Sequence, residues 1–249
     1  MELLKIKKLS KIYYSLEGKV EALKEFSLDV NEGEYISIIG SSGCGKSTIL
    51  NVLASLDKDY EGKVEFKNSE VKVGYMLQQD SLFNWLTVYK NSILGLKIQK
   101  KDTKENLKYV NKLLNKYGLK EFINKYPSSL SGGMRQRVAL IRTLATKPDI
   151  LLLDEPFSAL DYQSRLKVSD DVYKIIKEEK KTVIMVTHDI AEAISMSDRI
   201  VVLSKRPGTI KNIYNINLTD KKTPIENRKA KEFASYYDLL WRDLDEFVG

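Results

Sequence analysis

One short segment of the sequence has the residue types and the spacing of a phosphate-binding loop, or P-loop. The run 40-GSSGCGKST-48 fits the pattern G-x-x-x-x-G-K-[ST], with the apolar run 35-YISII-39 before it and the helical run 49-ILNVLASL-56 after it. This order of strand, loop and helix is the setting that the pattern requires. Glycines allow the backbone to curl until several N–H groups face phosphate oxygens, and the helix start adds partial positive charge. The sequence therefore predicts a site for the phosphates of a nucleotide.

Every residue of this loop is a candidate for the phosphate site. Lys46 is expected to reach the β- and γ-phosphates as a point charge, and the Ser47 hydroxyl can ligate Mg²⁺. Cys44 stands where the pattern is free, so we interpret it as filler rather than as a reactive thiol. A chance match to the pattern is expected in roughly one chain of this size per hundred. The predicted nucleotide-binding residues of the loop are Gly40, Ser41, Ser42, Gly43, Cys44, Gly45, Lys46, Ser47 and Thr48.

An acidic pair follows another apolar run, in 150-ILLLDEP-156. Asp154 ends the predicted strand at its carboxyl side, where open α/β sheets place their ligands. It is expected to hold Mg²⁺, and Glu155 to polarise the water that attacks the γ-phosphate, an assistance worth about 10²- to 10⁴-fold. An apolar run that ends in Asp-Glu is common and means little alone. Together with the P-loop it indicates nucleotide hydrolysis.

A second helix start has the composition of a phosphate-binding surface. The run 130-LSGGMRQRVALIRTLA-145 places a serine and two glycines directly before a helical stretch. One P-loop already wraps a nucleotide from one side, so a second surface makes sense if it closes on a nucleotide held by another copy. Ser131, Gly132 and Gly133 would then act in trans, at an isologous interface. The alternative is an ordinary N-cap at Ser131 without a ligand.

The segment LSGGMRQR resembles the signature motif of ATP-binding cassette (ABC) proteins, and the resemblance covers essentially the whole chain. Gln78 in 74-GYMLQQD-80 is similar to the Q-loop glutamine, which in that family contacts Mg²⁺ and links the core to a helical subdomain. Gln79 is the adjacent alternative. The stretch 158-SALD-161 is similar to the D-loop, which crosses the dimer interface.

Two further positions take their predicted roles from this resemblance. His188 in 186-VTHD-189 resembles the switch histidine that contacts the γ-phosphate, and it is the only histidine of the chain. Tyr13 in 10-SKIYY-14 resembles the aromatic residue that stacks on adenine, with Tyr14 as a near alternative. The resemblance implies ATP and Mg²⁺ as cofactors, a catalytic set of Glu155, His188 and Gln78, and a metal set of Ser47, Gln78 and Asp154.

Finer features are similar to one branch of importers. The segment 82-LFNWLTV-88 is similar to the Leu-Leu-Pro-Trp-x-Thr-Val stretch of importers for nitrate, sulfonates, taurine and thiamine-precursor pyrimidines, although Asn84 stands where that pattern has proline. The later run 203-LSKRPGTI-210 points to the same branch. This region borders a groove for a coupling helix in such importers, whereas packing in the helical core is the alternative for Trp85. The implied partners are a second ATPase subunit, membrane permease subunits and, indirectly, a solute-binding protein, with no nucleic acid.

The elements that must position these residues alternate between strand and helix, which indicates α/β layers around a parallel sheet. The resemblance implies a P-loop NTPase core with an antiparallel β subdomain and an inserted α-helical subdomain. We expect one domain over 1–249, with the helical subdomain at about 80–147 and a C-terminal extension at about 206–249. The predicted strands are Leu3–Lys7, Phe26–Val30, Tyr35–Ile39, Lys63–Phe66, Val71–Tyr75, Asp149–Leu153, Thr182–Val186 and Arg199–Leu203, and the later helices are Tyr162–Glu179, Ile190–Met196 and Arg228–Phe247.

Composition restricts the class of protein and its location. Lys and Arg outnumber Asp and Glu by 41 to 34, a net charge of +7 that fits a nucleotide, a nucleic acid, an anionic membrane or simply scattered lysines. No apolar run approaches the roughly 18 to 20 residues that span a bilayer, and no signal-peptide pattern opens the sequence. The single cysteine fits a reducing compartment. These features predict a soluble protein that stays in the compartment where it is made. The resemblance to ABC importers implies a place at the cytoplasmic face of the cell membrane, of bacterial type.

Two other functional classes compete with a transport ATPase. A soluble ABC protein could serve DNA repair, translation or cluster assembly. Repair members carry a long coiled-coil insertion, whereas about 85 residues without sustained heptads separate Lys46 from Ser131 here. Translation members fuse two cassettes, and this chain holds one. The other class is a P-loop kinase outside the family, which would not account for the segment LSGGMRQR.

Overall fold

The computed structural model describes residues 1–16 and 18–245 of the chain. Strands β1 (Glu2–Ser15) and β2 (Gly18–Asn31) form a long antiparallel hairpin, and β4 (Glu61–Phe66) pairs with the other edge of β1. Both long strands extend beyond the predicted apolar runs. Polar side chains alternate with apolar ones along a half-exposed strand, so the apolar run marks only part of it.

The second sheet has six strands in the order β5, β6, β7, β3, β8, β9. All neighbours run parallel except β9, which is antiparallel to β8. Every residue of β3, β6 and β7 is buried, as expected for strands covered on both faces. The bounds are β3 Tyr35–Ile39, β5 Val73–Met76, β6 Ile150–Asp154, β7 Thr182–Val186, β8 Arg199–Leu203 and β9 Ile210–Asn215.

Helices connect and cover these strands. Helix α1 (Lys46–Leu53) follows β3, while α6 (Tyr162–Glu178) and α7 (Ile190–Met196) lead into β7 and β8. A helical region lies between β5 and β6, as the sequence predicts. Its helices are α2 Val88–Ser92, α3 Leu94–Ile98, α4 Lys104–Lys116 and α5 Gly132–Leu144, with 3-10 turns at Lys120–Phe122 and Pro127–Ser129.

Two arginines of α5 hold the chain that enters the helical region. Arg142 donates from Nη1 to the carbonyl oxygen of Ser81 at 2.7 Å and from Nη2 to that of Asp80 at 2.8 Å. Arg135 Nε lies 2.9 Å from the Asp80 carboxylate. The backbone and the side chain at positions 80 and 81 are therefore fixed to α5.

The interpretation of Trp85 as a core residue is wrong. Its side chain is 73% exposed, and its ring packs against Phe83 with the ring centroids 5.0 Å apart. The core of the helical region is filled instead by aliphatic side chains such as Val88 and Leu113. The two aromatic rings therefore lie at the surface of this region.

The C-terminal part corrects one prediction. In place of one helix from Arg228, the structure has α8 (Pro224–Asn227) and α9 (Phe233–Asp245), and Phe247 lies outside the described residues. Between the two helices the Glu232 carboxylate accepts hydrogen bonds from the N–H and the hydroxyl of Thr219. These bonds tie the chain to the end of the preceding loop, so the two helices are separated by a turn.

The hydrophobic core lies in three layers. One cluster joins the helical region to one face of the six-stranded sheet, a second packs α1 and the three-stranded sheet on the other face, and a third covers β8 with α7 and α9. The P-loop and the carboxyl end of β6 consequently meet at one edge of the sheet, where ligands of such folds bind. Within the described part of the chain, no helix is both long and apolar enough to cross a membrane.

Candidate nucleotide-binding site

The P-loop is closed on itself by its lysine. Lys46 Nζ donates to the carbonyl oxygens of Gly40 at 2.8 Å and Ser41 at 2.9 Å, and the side chain is largely buried. Gly45 precedes α1 with φ of +101°, and a Cβ there would lie 2.7 Å from the Ala22 carbonyl oxygen. Only glycine combines this left-handed conformation with so close a backbone approach. The loop therefore holds the Lys46 ammonium against its own backbone carbonyl oxygens.

Cys44 faces the core and not the solvent. It is 1% exposed, and a Cβ on Gly40 would lie 2.7 Å from its Sγ. Burial raises the pKa of the Cys44 thiol, and thiols kept protonated in apolar surroundings are unreactive. Its contribution to the loop is backbone and packing.

Asp154 and Ser47 bring two side-chain oxygen atoms together. The Ser47 hydroxyl donates to Asp154 Oδ1 at 3.3 Å, and the Tyr75 hydroxyl donates to Oδ2 at 3.1 Å. Burial raises the pKa of the Asp154 carboxyl, against the lowering effect of these two hydrogen bonds. The described residues contain no group of three or more His, Cys, Asp or Glu side chains that could hold a metal. The arrangement fits Mg²⁺, which takes one or two protein oxygens and completes its shell with phosphate and water.

Glu155 lies next to this pair, in a strained conformation. Its φ is +43°, in the left-handed region that non-glycine residues seldom occupy and that clusters at functional sites. Gln78 Nε2 donates to Glu155 Oε2 at 3.3 Å, and His188 Nδ1 lies 3.1 Å from the same oxygen. The three predicted catalytic side chains thus meet at one carboxylate oxygen.

Lys46, Ser47, Gln78 and Glu155 line one cavity of about 460 Å³, and Asp154 and His188 adjoin it through their contacts with Ser47 and Glu155. Tyr13 and Gln78 line it, whereas their alternatives do not: Tyr14 lines a cavity on the other face of β1, and Gln79 lies beside α5. Neighbouring side chains of a strand point to opposite faces, so only one of the two tyrosines can face the P-loop. The lining residues are Tyr13, Val20, Ala22, Ser42, Gly43, Gly45, Lys46, Ser47, Thr48, Gln78, Glu155 and Arg206.

The serine and glycines of the second helix start do not line this cavity. Ser131 is the N-cap of α5, and its hydroxyl accepts from the Met134 N–H at 3.3 Å. Gly132 lines a hollow with Asp80 and Leu160, and that hollow shares no lining residue with the phosphate cavity. A Cβ on Gly133 would lie 2.5 Å from Val168 Cγ2, so close packing on α6 also requires a glycine there.

Sequence reasoning missed two residues of the cavity region. Tyr75 supports Asp154 from the neighbouring strand β5, and Arg206 reaches the P-loop from the loop between β8 and β9. Neither belongs to a phosphate-binding pattern. The Tyr75 contact depends on strand order, and Arg206 was visible only as part of a segment shared with importers.

Comparison with known proteins agrees with this geometry. The ABC transporter family model matches residues 23–158. The chain is 39% identical to the nitrate import ATP-binding protein NrtD of Synechocystis sp., with 95% of this chain and 93% of that protein covered. It is also 39% identical to the aliphatic sulfonates import ATP-binding protein SsuB of Bacillus anthracis, with 86% of each covered.

A solved structure shows the same architecture. The dimeric post-hydrolysis state of the ATP-binding cassette MJ0796, bound to ADP and Pi, superposes with a TM-score of 0.73 at 34% identity, covering 86% of this chain and 99% of that one. The fold is that of the ABC ATPase cassette. The protein belongs to the ABC transporter family.

Proposed function

We propose that this chain is the ATP-hydrolysing subunit of an ABC importer. The observation that carries the proposal is a cavity lined by the lysine loop, Gln78 and Glu155, with Asp154 and His188 in contact with the lining residues Ser47 and Glu155. Family membership and the likeness to a cassette with bound ADP and Pi support an ATPase coupled to transport. A soluble role in repair, translation or cluster assembly is not favoured, because relatives named as import ATP-binding subunits match most of the chain.

The cavity has a place for each part of Mg·ATP. Backbone N–H groups of residues 40–48 and the Lys46 ammonium bind the phosphates, and the Tyr13 ring stacks on the adenine. Ser47, Asp154 and Gln78 hold Mg²⁺, which neutralises charge on the phosphate oxygens when it is bound. Among the described residues, Lys46 donates to two carbonyl oxygens and forms no ion pair, so phosphate oxygens can replace these carbonyl oxygens without breaking one.

Hydrolysis needs a water held in line with the γ-phosphate. The Glu155 carboxylate accepts a hydrogen bond from this water and draws off its proton as the new P–O bond forms and the bond to ADP breaks. Gln78 and His188 hold Oε2 of this carboxylate, and in the described structure Oε1 carries no hydrogen bond and can accept one. His188 in turn can donate to the γ-phosphate.

Two copies complete the site. Ser131, Gly132 and Gly133 of each copy close on the γ-phosphate held by the other copy, since within one chain they lie outside the phosphate cavity. The dimeric state of MJ0796 supports such a pairing. ATP binding then draws the copies together, and hydrolysis separates them.

The subunit works beneath separate membrane permease subunits, at the cytoplasmic face of the membrane. The exposed Phe83–Trp85 pair on the helical region is the proposed contact for a permease coupling helix, because aromatic side chains are enriched at protein interfaces. The names of the relatives support nitrate, taurine or an aliphatic sulfonate as the type of solute, and the segment 82-LFNWLTV-88 leaves a pyrimidine precursor as a further candidate. A solute-binding protein takes part indirectly.

Substitution Glu155→Gln tests the proposal. The variant should bind Mg·ATP normally, lose turnover by about 10²- to 10⁴-fold and accumulate as a dimer with ATP, because the amide cannot take a proton from water. Phosphate release measures turnover, and light scattering measures the dimer.

The matched control is Glu121→Gln, which removes an exposed carboxylate of the helical region and should retain wild-type turnover. A Glu155→Gln protein that still hydrolyses ATP at the wild-type rate, or that stays monomeric with ATP, contradicts the assignment.

A further inference from the structure

The loop between β8 and β9, residues 204–209, is pressed against the P-loop. The Gly208 N–H donates to the Ala22 carbonyl oxygen at 2.9 Å, and the Lys24 N–H donates to the Gly208 carbonyl oxygen at 3.1 Å. A Cβ on Gly208 would lie only 2.1 Å from the Cys44 carbonyl oxygen. The loop therefore sits in backbone contact with both β2 and the P-loop.

The same loop is fixed internally. The Ser204 N–H donates to the Thr209 carbonyl oxygen at 2.9 Å, and Ser204 Oγ accepts from the Thr209 N–H at 2.9 Å. The Ser204 hydroxyl is also within hydrogen-bond distance of the Pro207 carbonyl oxygen, which lies 3.0 Å away. A side chain carried on this loop is presented from a preorganised backbone, which lowers the entropy lost when it binds a ligand.

That side chain is Arg206. Its Nε donates to the Gly43 carbonyl oxygen at 3.0 Å, and a Cβ on Gly43 would lie 2.7 Å from its Nη2. The exposed guanidinium lines the phosphate cavity together with Lys46 and Glu155. Within the described ranges no carboxylate forms an ion pair with it. One of its five N–H donors is used on the loop, which anchors the fork and leaves donors for an anion.

We propose that Arg206 is a nucleotide-binding residue, which donates hydrogen bonds to the phosphate groups of ATP from outside the P-loop. The inference rests on the proposed function, because it assigns a further ligand to the same cavity. It also gives the C-terminal extension a direct contact with the nucleotide, since Arg206 lies between β8 and β9. A loop that only braced Gly43 would need neither the charge nor the fork of a guanidinium.

The test is nucleotide affinity, measured by titration calorimetry with Mg·ATP on the full chain. Arg206→Gln should raise the Kd by about tenfold, the effect of one hydrogen bond to a charged group. Arg206→Lys keeps the charge but loses the planar guanidinium that is anchored on Gly43. Its Kd should therefore lie between those of the wild type and Arg206→Gln. Because salt screens an exposed charge, the Kd of Arg206→Gln should depend less steeply on salt concentration than that of the wild type.

Lys205→Gln is the matched control. It removes the same charge from the neighbouring position, and Lys205 does not line the cavity. Its Kd should stay within about twofold of the wild type, since a charge at the surface of the loop is largely screened. Thermal unfolding of each variant shows that the fold is retained; if Arg206→Gln fails to fold, the Kd of Arg206→Lys decides, and a wild-type Kd in that variant overturns the role of the guanidinium.

The outcomes separate this proposal from the proposed function. An Arg206→Gln protein with the affinity and salt dependence of the wild type overturns the role of Arg206, even if it loses ATP-driven dimerisation. In that case the loss of binding in Lys46→Ala still supports an ATPase. A wild-type chain that binds no Mg·ATP overturns the proposed function itself.

Discussion

Two helices of this protein begin with glycine-rich segments, yet their N-termini are built differently. Helix α1 has Gly45 as its N-cap residue, without a side-chain cap, and within the described ranges the hydrogen-bond partners of the Lys46 ammonium are two backbone carbonyl oxygens. Helix α5 starts at Ser131, whose hydroxyl caps the helix, and its nearby cation, Arg135, is already paired with Asp80. The start of α1 therefore presents N–H groups without a side-chain cap together with a cation. The start of α5 has a side-chain cap, and its cation is paired with a carboxylate.

This difference indicates that the two helix starts have different roles in nucleotide binding. A triphosphate carries several negative charges, so a site that holds it alone must supply positive charge of its own. The P-loop meets this requirement within one chain. The α5 start does not, and it suits a nucleotide whose charge has already been balanced by another copy and by Mg²⁺. The comparison predicts that substitutions at the two helix starts affect different steps.

The largest effect is expected at the P-loop. Lys46→Ala should weaken Mg·ATP binding or turnover by roughly 10³-fold, because it removes the cation that offsets the β- and γ-phosphates. Calorimetry and phosphate release measure the two quantities. Lys58→Ala, an exposed lysine in the turn after α1, is the control and should behave as the wild type. Unchanged ATPase activity in Lys46→Ala would remove the P-loop assignment.

A smaller and more selective effect is expected at α5. Ser131→Ala should leave the Kd of the isolated chain for Mg·ATP within about twofold, and lower turnover and ATP-driven dimerisation by roughly 10²-fold. The reason is that Ser131 lies outside the cavity of its own chain. Calorimetry, phosphate release and light scattering give the three values.

The helix cap at Ser131 requires its own control. Thr103 caps α4 with the same geometry, its hydroxyl accepting from the Asn106 N–H at 3.3 Å. Thr103→Ala and Ser131→Ala should each cost about 1 kcal/mol of stability, but only Ser131→Ala should lose turnover. Equal losses of turnover in both variants would reduce Ser131 to an ordinary N-cap.

The smallest expected effect concerns the pH dependence of stability, through the ionisation of a buried acid. Glu192 on α7 is 3% exposed and accepts from the Thr187 hydroxyl at 2.9 Å, with Arg165 Nε 3.8 Å away, whereas Asp80 beside α5 is partly exposed. Burial, and then the charge of Asp189, raises the pKa of Glu192 to about 7. Between its ordinary pKa near 4.5 and 7, the unfolded chain releases this proton while the folded chain keeps it.

The free energy of unfolding must therefore fall as pH rises through that window. Relative to Glu192→Gln, the wild type should lose about 2 kcal/mol of stability between pH 5 and pH 8. Urea denaturation of both proteins at several pH values measures the difference. Glu192→Asp retains a titratable carboxyl and should keep a slope of the same sign. Parallel pH curves for the wild type and Glu192→Gln would show that this carboxyl titrates normally.

Local patterns were enough to predict the elements that carry the phosphate site. The run before Gly40 and the run before Asp154 are apolar at nearly every position, and β3, β6 and β7 have the bounds expected or differ by one residue. Such strands are buried on both faces, so composition alone defines them. The break between α8 and α9 was missed because it depends on the contact between Glu232 and Thr219, thirteen positions apart in the sequence.

Site residues were predictable where a motif fixes their position along one element. They were less predictable where the site depends on how separate elements pack together. The choices between Tyr13 and Tyr14, and between Gln78 and Gln79, stayed open in the sequence, because adjacent residues share a motif but face opposite sides. The structure places Tyr13 and Gln78 at the cavity. Arg206 comes from the far end of the chain, and only the packing of its loop on Cys44 brings it to the P-loop.

The attachment of Asp80 and Ser81 to α5 restricts where the molecule can bend. With Arg142 holding both carbonyl oxygens and Arg135 holding the Asp80 carboxylate, these two residues must travel with α5 as a rigid arm. Strand β5 ends at Met76, inside the sheet. If the helical region turns relative to the sheet, as the proposed function requires, we expect residues 77–79 to bend on this side, and Gln78, which donates to Glu155, is the central residue of the three. In the proposed cycle, a change in the hydrogen bonding of this one carboxylate would therefore act directly on the connection between the sheet and the helical region.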